Sequence, residues 1–251
     1  MSRLALIALL AIGLLAGLIT FAPLGTVLSI VKAGQPIAWT RAEGTISNGR
    51  LEGLTYDGRA LGSADLRLLP AGLLTGNVRY AVDWEGEEGR GAGNLSVGGG
   101  SLAVSDFKLE FDLGEIQDTA LWIQQSGGLV QTEGELIRFK GPTCVRAEGV
   151  ARSDVLERNR EILGAGWSTM QGDLRCENGD LVIPLEASNN SGTRFLAQIR
   201  VAPGQTGRFD ARVSGMIPRD LEFALPIAGF QKVGRDYVYS FEPTQPSETV
   251  P

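Results

Sequence analysis

The sequence predicts a mainly β protein: a single N-terminal transmembrane helix followed by an antiparallel multi-stranded sheet, curved or open, with one or two short helices. Three observations carry this expectation. Residues Leu4 to Leu24 form an apolar run without one charged side chain. Beyond it, apolar and polar residues alternate with period two in roughly ten short segments. Glycine, at 34 residues, has about twice its usual share and falls at turn positions rather than in a low-complexity tract.

As a helix rising ~1.5 Å per residue, the run is roughly 31 Å long. This matches the ~30 Å hydrocarbon core of a bilayer. Residues 1–3 are then a short cytoplasmic tail, 4–24 the anchor and 25–35 a junction carrying Val27, Leu28, Ile30 and Val31. Residues 36–242 are an extracytoplasmic β-rich domain, and 243–251 a disordered tail of Thr, Gln, Pro, Ser and Glu. A cleaved signal peptide is the other reading. Such peptides have an apolar core of about 7–15 residues and a small-residue cleavage site, whereas Ile19-Thr20-Phe21-Ala22-Pro23 offers no A-x-A pattern and puts proline directly after Ala22. Arg3 and the N-terminal amine precede the run and Lys32 follows it, a small bias toward an N-in orientation with the bulk of the chain outside.

Charge and composition exclude several classes. The net charge is −6, from 29 acidic and 23 basic residues, which opposes nucleic-acid binding. No Lys/Arg run forms a polybasic membrane patch. Histidine is absent, so the usual triad partner and the commonest metal ligand are missing. Serine–histidine and cysteine–histidine hydrolases are excluded, no phosphate loop or dinucleotide fingerprint appears, and no cofactor is expected.

The elements follow in order. A phrase of glycine, any residue, then Ile or Leu opens strand-like runs at Gly44-Thr45-Ile46, Gly93-Asn94-Leu95, Gly134-Glu135-Leu136 and Gly172-Asp173-Leu174. Leu51 to Tyr56 leads through Asp57-Gly58 into Leu61 to Leu69, a hairpin signal. Val78, Tyr80, Val82 and Trp84 alternate with Arg79 and Asp83. Gly93 to Val97, the glycines 98–100 and Leu102 to Phe111 read as another hairpin, with a bulge near Ser105 where the alternation shifts. Gly114 to Gly128 suits a short helix or an irregular connection. Leu129 to Lys140 is a strand, and Asp154 to Leu163 a helix with capping-box-like spacing of Asp154 and Glu157, stopped by Gly164. Asp173 to Cys176, Asn178-Gly179 and Leu181 to Glu186 form a hairpin whose second strand Pro184 marks as an edge. Phe195 to Val201, Phe209 to Val213 and Tyr237 to Phe241 are further strands, and Met216 to Gly229, with Pro218 and Pro226, covers an end of the sheet. The recurring phrase allows two related halves, 36–114 and 128–242.

Few side chains offer chemistry. Cys144 and Cys176 close a loop of about 30 residues, for which a structural disulfide is worth roughly 3–4 kcal/mol on the chain-entropy model. Outside the cytoplasm a disulfide is the default; two buried free thiols are the alternative, and without CxxC spacing a redox or metal pair has little support. Glu85, Glu87 and Glu88 beside Trp84 have the composition of a glycosidase carboxylate pair, but interleaved Gly86 and Gly89 make them a solvated hairpin tip. Asp106, Glu110 and Asp112 read as a solvated strand face. Arg158 and Arg160 with Glu157 and Glu161 read as helix-surface pairs. Asn94-Leu95-Ser96 and Asn189-Asn190-Ser191 match the glycosylation triplet, which is frequent by chance. Trp39, Trp84, Trp122 and Trp167 are too dispersed for a ligand platform and read as core or interface anchors.

The order of features resembles type II secretion system protein N. The resemblance runs from the N-terminal run through Gly44-Thr45-Ile46 with Asn48-Gly49-Arg50, similar to a family start in which Ser47 stands where tryptophan is frequent. It continues through Leu66-Arg67-Leu68-Leu69-Pro70-Ala71-Gly72-Leu73-Leu74-Thr75-Gly76 to Gly164-Ala165-Gly166-Trp167 and Gly172-Asp173-Leu174-Arg175-Cys176. It implies a single-pass inner-membrane protein with a periplasmic domain, an accessory part of the machinery that exports folded proteins across the outer membrane of Gram-negative bacteria. Its partners would be other inner-membrane or periplasmic secretion components, and it carries no catalytic residues. A periplasmic lipid- or lipoprotein-handling module with an apolar groove is the alternative function, and a glycosidase-like enzyme on Glu85 or Glu88 a minor one.

Overall fold

The computed structural model describes residues 21–26, 37–56, 58–115, 124, 127–164, 166–201 and 207–241. The chain divides into two compact units, Met1–Gly99 and Gly100–Pro251. Both are antiparallel sheets, and the predicted β class holds throughout.

The N-terminal unit contains β1 (Ile37–Ala38), β2 (Arg41–Gly44), β3 (Asn48–Tyr56), β4 (Arg59–Leu68), β5 (Val78–Glu85) and β6 (Gly89–Gly98), with a 3-10 turn over Pro70–Thr75. The order is β1-β3-β4-β5-β6, and β2 pairs with the same edge of β3 as β1. Register puts Ala64 opposite Trp84, Leu66 opposite Val82 and Leu68 opposite Tyr80, so period two collects apolar side chains on one face. The opposite face is ionic: Arg50 donates to Asp65 at 2.8 Å and to Ser63 at 3.2 Å. Phe21–Thr26 packs beside β2 and β3. Ile46 N–H donates to Ala22 O at 3.0 Å, Pro23 bridges Thr45, and Leu24 is buried. Among the described residues no helix is long and apolar enough to cross a membrane; residues 4–20, on which most of the anchor expectation falls, lie outside them.

The C-terminal unit contains β7 (Ser101–Asp112), β8 (Leu129–Lys140), β9 (Thr143–Ser153), β10 (Met170–Asp173), β11 (Arg175–Glu177), β12 (Asp180–Ser188), β13 (Thr193–Val201), β14 (Arg208–Gly215), β15 (Gln231–Val233) and β16 (Asp236–Phe241). The order is β7-β8-β9-β10-β12-β13-β14-β16-β15, with β11 also on β12. Three short helices, α1 (Val155–Arg158), α2 (Arg160–Leu163) and α3 (Arg219–Ile227), contribute Leu156, Leu163, Leu221 and Leu225 to one buried cluster with Phe107, Phe195 and Val213.

The shift expected near Ser105 is a change of parity in two strands at once. Val104 packs on the core, and so do Phe107 and Leu109, which a regular strand cannot achieve because 104 and 107 face opposite ways. Asp106, at φ 51°, takes up the extra residue. On β8 the register against β9 shifts between Gly134 and Leu136, so that Thr132 and Ile137 are both buried. Phe107, only 1% exposed, lies against the Gly134–Gly149 pair; a Cβ on Gly134 would strike the Phe107 ring at 2.6 Å.

Three local expectations are corrected. Pro184 does not mark an edge: β12 has β13 on one side and β10 with β11 on the other. The proline sits where that second neighbour changes from β10 to β11, directly under Gly172, so its missing N–H falls at a break in the ladder. The helix over 154–163 is split at Asn159, whose backbone N–H and side-chain Nδ2 both donate to Val155 O, at 3.1 and 2.7 Å. The capping box does not form. Asp154 accepts from Leu129 N–H at 2.7 Å and from Arg158 at 2.7 Å, while Glu157 accepts from Thr169 at 2.5 Å. The Met216 to Gly229 stretch contains a full helix, α3, with Pro218 at its N-cap and Pro226 in its last turn. The Gly114 to Gly128 connection lies largely outside the described residues.

Phe107→Ala should lower the unfolding free energy by about 3–5 kcal/mol, through lost burial and the cavity left over the glycine pair. Urea denaturation of the two chains measures the difference; a change below about 1 kcal/mol would show that the parity change does not depend on this ring.

Candidate interaction surfaces

The β5–β6 turn, Gly86 to Glu88, is closed by Gly86 N–H donating to Gly89 O at 2.8 Å. Glu85 and Glu87 are exposed and Glu88 is half-buried at this hairpin turn, the setting the interleaved glycines imply. Trp84 is bound inward, donating from Nε1 to Leu61 O at 2.5 Å. Glu110 accepts from Gln131 at 2.9 Å and Asp112 from Gly114 N–H at 2.9 Å, local roles. Arg158 pairs with Asp154 at 2.7 Å and not with a neighbouring glutamate.

At the parity change a shallow groove of about 660 Å³ is lined by Asp106, Lys108, Glu133, Glu135, Glu148 and Asp173 among others. Two of its carboxylates are tied by arginine, Glu133 to Arg152 at 3.0 Å and Glu148 to Arg146 at 2.6 Å. Among the described residues no group of three or more acidic or cysteine side chains is placed to hold a metal ion.

The sulfurs of Cys144 and Cys176 are 2.01 Å apart and their Cα atoms 5.4 Å apart. The link joins the start of β9 to the β11–β12 hairpin, where Cys144 N–H also donates to Gly179 O at 2.6 Å. Asn178 and Gly179, at φ 56° and 92°, make the two-residue turn that an Asn-Gly pair favours. Asn189, in the second glycosylation-like triplet, spends its side chain on a turn, accepting from Ser191 and Thr193 N–H groups at 3.0 and 2.9 Å. Trp167 donates to Leu163 O at 3.0 Å and meets Phe195 edge-on at 6.2 Å, an anchor of the core; Trp122 lies outside the described residues.

The solvent face of β12, β13, β14 and β16 forms a groove of about 470 Å³ lined by Arg175, Arg208, Arg212, Glu186 and Asp210. Burial disfavours the Asp210 carboxylate, but hydrogen bonds from Arg208 and Ser240 and the charges of Arg208 and Arg200 outweigh it and hold the carboxyl below its ordinary value.

The far edge of the C-terminal unit carries an apolar rim. Phe223 and Ile227, one turn apart on α3, are 75% and 88% exposed. Met216 precedes them, and Val233 lies on β15 at the end of the strand order; both are exposed. Lys232 of β15 pairs with Glu222 of α3 at 3.4 Å, which ties the helix to the edge strand. Sequence reading missed this rim because Pro218 and Pro226 hid the helix; the signal available was the i, i+4 pair of Leu221 and Leu225. The N-terminal unit offers a second apolar surface, the Leu66, Tyr80 and Val82 face of its sheet.

A comparison with protein-family models matches residues 35–239 to the model described as type II secretion system (T2SS), protein N. Comparisons with curated proteins and with solved structures gave no match.

Two measurements test these surfaces. Replacing both cysteines by serine should lower the unfolding free energy by about 2–4 kcal/mol, and reductant should lower that of the parent chain alike. Asp210 contributes stability fully above the ordinary carboxylate range and loses it as pH falls through its lowered value. The stability difference between the parent and Asp210→Asn should therefore be constant above the ordinary carboxylate range and shrink as pH falls below it; a difference that grows on acidification would contradict the assignment.

Proposed function

Since the chain belongs to the family of type II secretion system protein N, we propose that it is an accessory, non-enzymatic component of the type II secretion machinery, tied to the inner membrane by the part of the apolar run that precedes Phe21, with its β domain in the periplasm. The observation that carries this reading is the reach of the family match, which runs from before β1 into β16 and so takes in both units. The uncharged run before the match supports the anchor. Glu85 stands exposed and Glu88 half-buried beside the β5–β6 turn, a setting that favours this reading over a glycosidase. Its partners are other secretion components, and the apolar rim of α3 and β15 is the surface that fits them: exposed apolar side chains beside an open strand edge are the material of β-augmentation and helix docking.

The full chain should stay with the membrane fraction after alkaline washing, and protease should reach the β domain only from the periplasmic side. Phe223→Asp with Ile227→Asp should shift stability by less than about 0.5 kcal/mol, yet abolish co-purification of secretion components from membrane extracts and reduce export. Retained co-purification would remove the rim from this role. Normal export from cells lacking the chain, with no secretion component recovered on it, would remove the accessory role itself.

A further inference from the structure

The two units treat their apolar faces differently. The large buried cluster is composed entirely of C-terminal-unit residues, where α1, α2 and α3 cover the sheet. In the N-terminal unit the alternation is as regular, but among the described residues only Leu24, Leu51 and Ala64 are buried hydrophobics. Leu66, Tyr80, Val82 and Leu95 are only half-buried, and Val78 and Val97 are 42% and 50% exposed. Register aligns these side chains into a stripe: Leu66 beside Val82, Tyr80 beside Leu95, Val78 beside Val97. Gly91 and Gly93 lie opposite Trp84 and Val82 and leave a lane without side chains next to them, as where a ligand approaches a strand closely.

What reaches this face is set by where the chain enters the unit. The apolar run ends on it: Leu24 is buried, and a Cβ on Gly49 of β3, beside Leu51 on the same face, would strike Leu24 Cδ2 at 2.5 Å. Thr20 is four positions before Leu24, so at ~3.3–3.6 Å per residue it lies within about 14 Å of the seat of Leu24 on β3. A run that spans a bilayer therefore delivers the stripe to the membrane surface. Along β5 the stripe from Val78 to Trp84 is about 20 Å long at ~3.3 Å per residue, enough for an acyl chain spanning one leaflet, about 15 Å.

We propose that the apolar face of the N-terminal unit binds a lipid acyl chain drawn from the adjoining membrane. This rests on reading the apolar run before Phe21 as a membrane anchor. It needs no enzymatic step: burying the chain against Leu66, Tyr80, Val82 and Leu95 removes apolar surface of both partners from water, while the Arg50–Asp65 face stays in solvent.

The test places the photoreactive residue p-benzoylphenylalanine at Val82, on the stripe, or at Asp83, on the opposite face, in the full chain reconstituted into vesicles of phosphatidylethanolamine and phosphatidylglycerol. After illumination, mass spectrometry should find a phospholipid adduct at position 82 at least about tenfold more abundant than at 83, because adjacent residues face opposite ways. If the Val82 derivative does not fold, Val97 on the same face takes its place. Equal labelling at both positions, a crosslink to residues 4–20, or a crosslink to a second copy would overturn the proposal while leaving the anchor intact. A chain that does not sediment with the vesicles at all would overturn the anchor and this proposal together.

Discussion

A strand shows successive side chains to opposite faces, and a sheet with one covered face must keep that alternation in step across every strand. In the C-terminal unit β7 and β8 lose step at the same level. The core continues past that level only because Phe107 swings in over Gly134 and Gly149, where bare backbone leaves it room. Before the change the core takes Val104 and Ile137; after it, Phe107, Leu109 and Thr132. The helices, the β11–β12 hairpin and the cysteine link are all arranged around the surface this preserves. A ring of ordinary size on a pair of glycines thus sets the path of the strands that everything else packs against.

Much of the architecture was legible because its rule is simple. Val78 to Trp84 and Leu102 to Phe111 carry period two openly, and Asn178-Gly179 names its own turn. The recurring glycine phrase was legible as a pattern but not as a cause. Gly134 and Gly172 do not open strands; they lie within β8 and β10, where another residue crosses closely. What sequence could not supply was competition between neighbours. Asn159 looks like any helix residue until its amide finds the Val155 carbonyl. Asp154 looks like a cap until Leu129 takes one oxygen and Arg158 the other. Pro184 reads as an edge because the break in the adjoining ladder is a property of β10 and β11, not of β12.

The functional surfaces divide along the same line. The carboxylates beside Trp84 were correctly suspect as chemistry, since the flanking glycines already implied a turn. The rim of Phe223 and Ile227 was concealed by two prolines: Pro218 stands at the N-cap of α3, where the backbone donor has no helical partner in any case, and Pro226 falls in its last turn. The apolar face of β4 to β6 was visible as alternation, but only register shows that Leu66, Val82 and the Gly93 lane lie side by side.

The seating of Leu24 has a mechanical consequence. Ala22 is hydrogen-bonded to Ile46, Pro23 bridges Thr45, and Leu24 is held against Gly49, so residues 22–24 are tied directly to the β2–β3 turn and to β3. A pull or twist applied to that run is delivered at once to the β2–β3 turn, where antiparallel hydrogen bonds carry it in shear across the ladder to β4. Three consecutive residues thus share the load at the point where the chain enters the sheet.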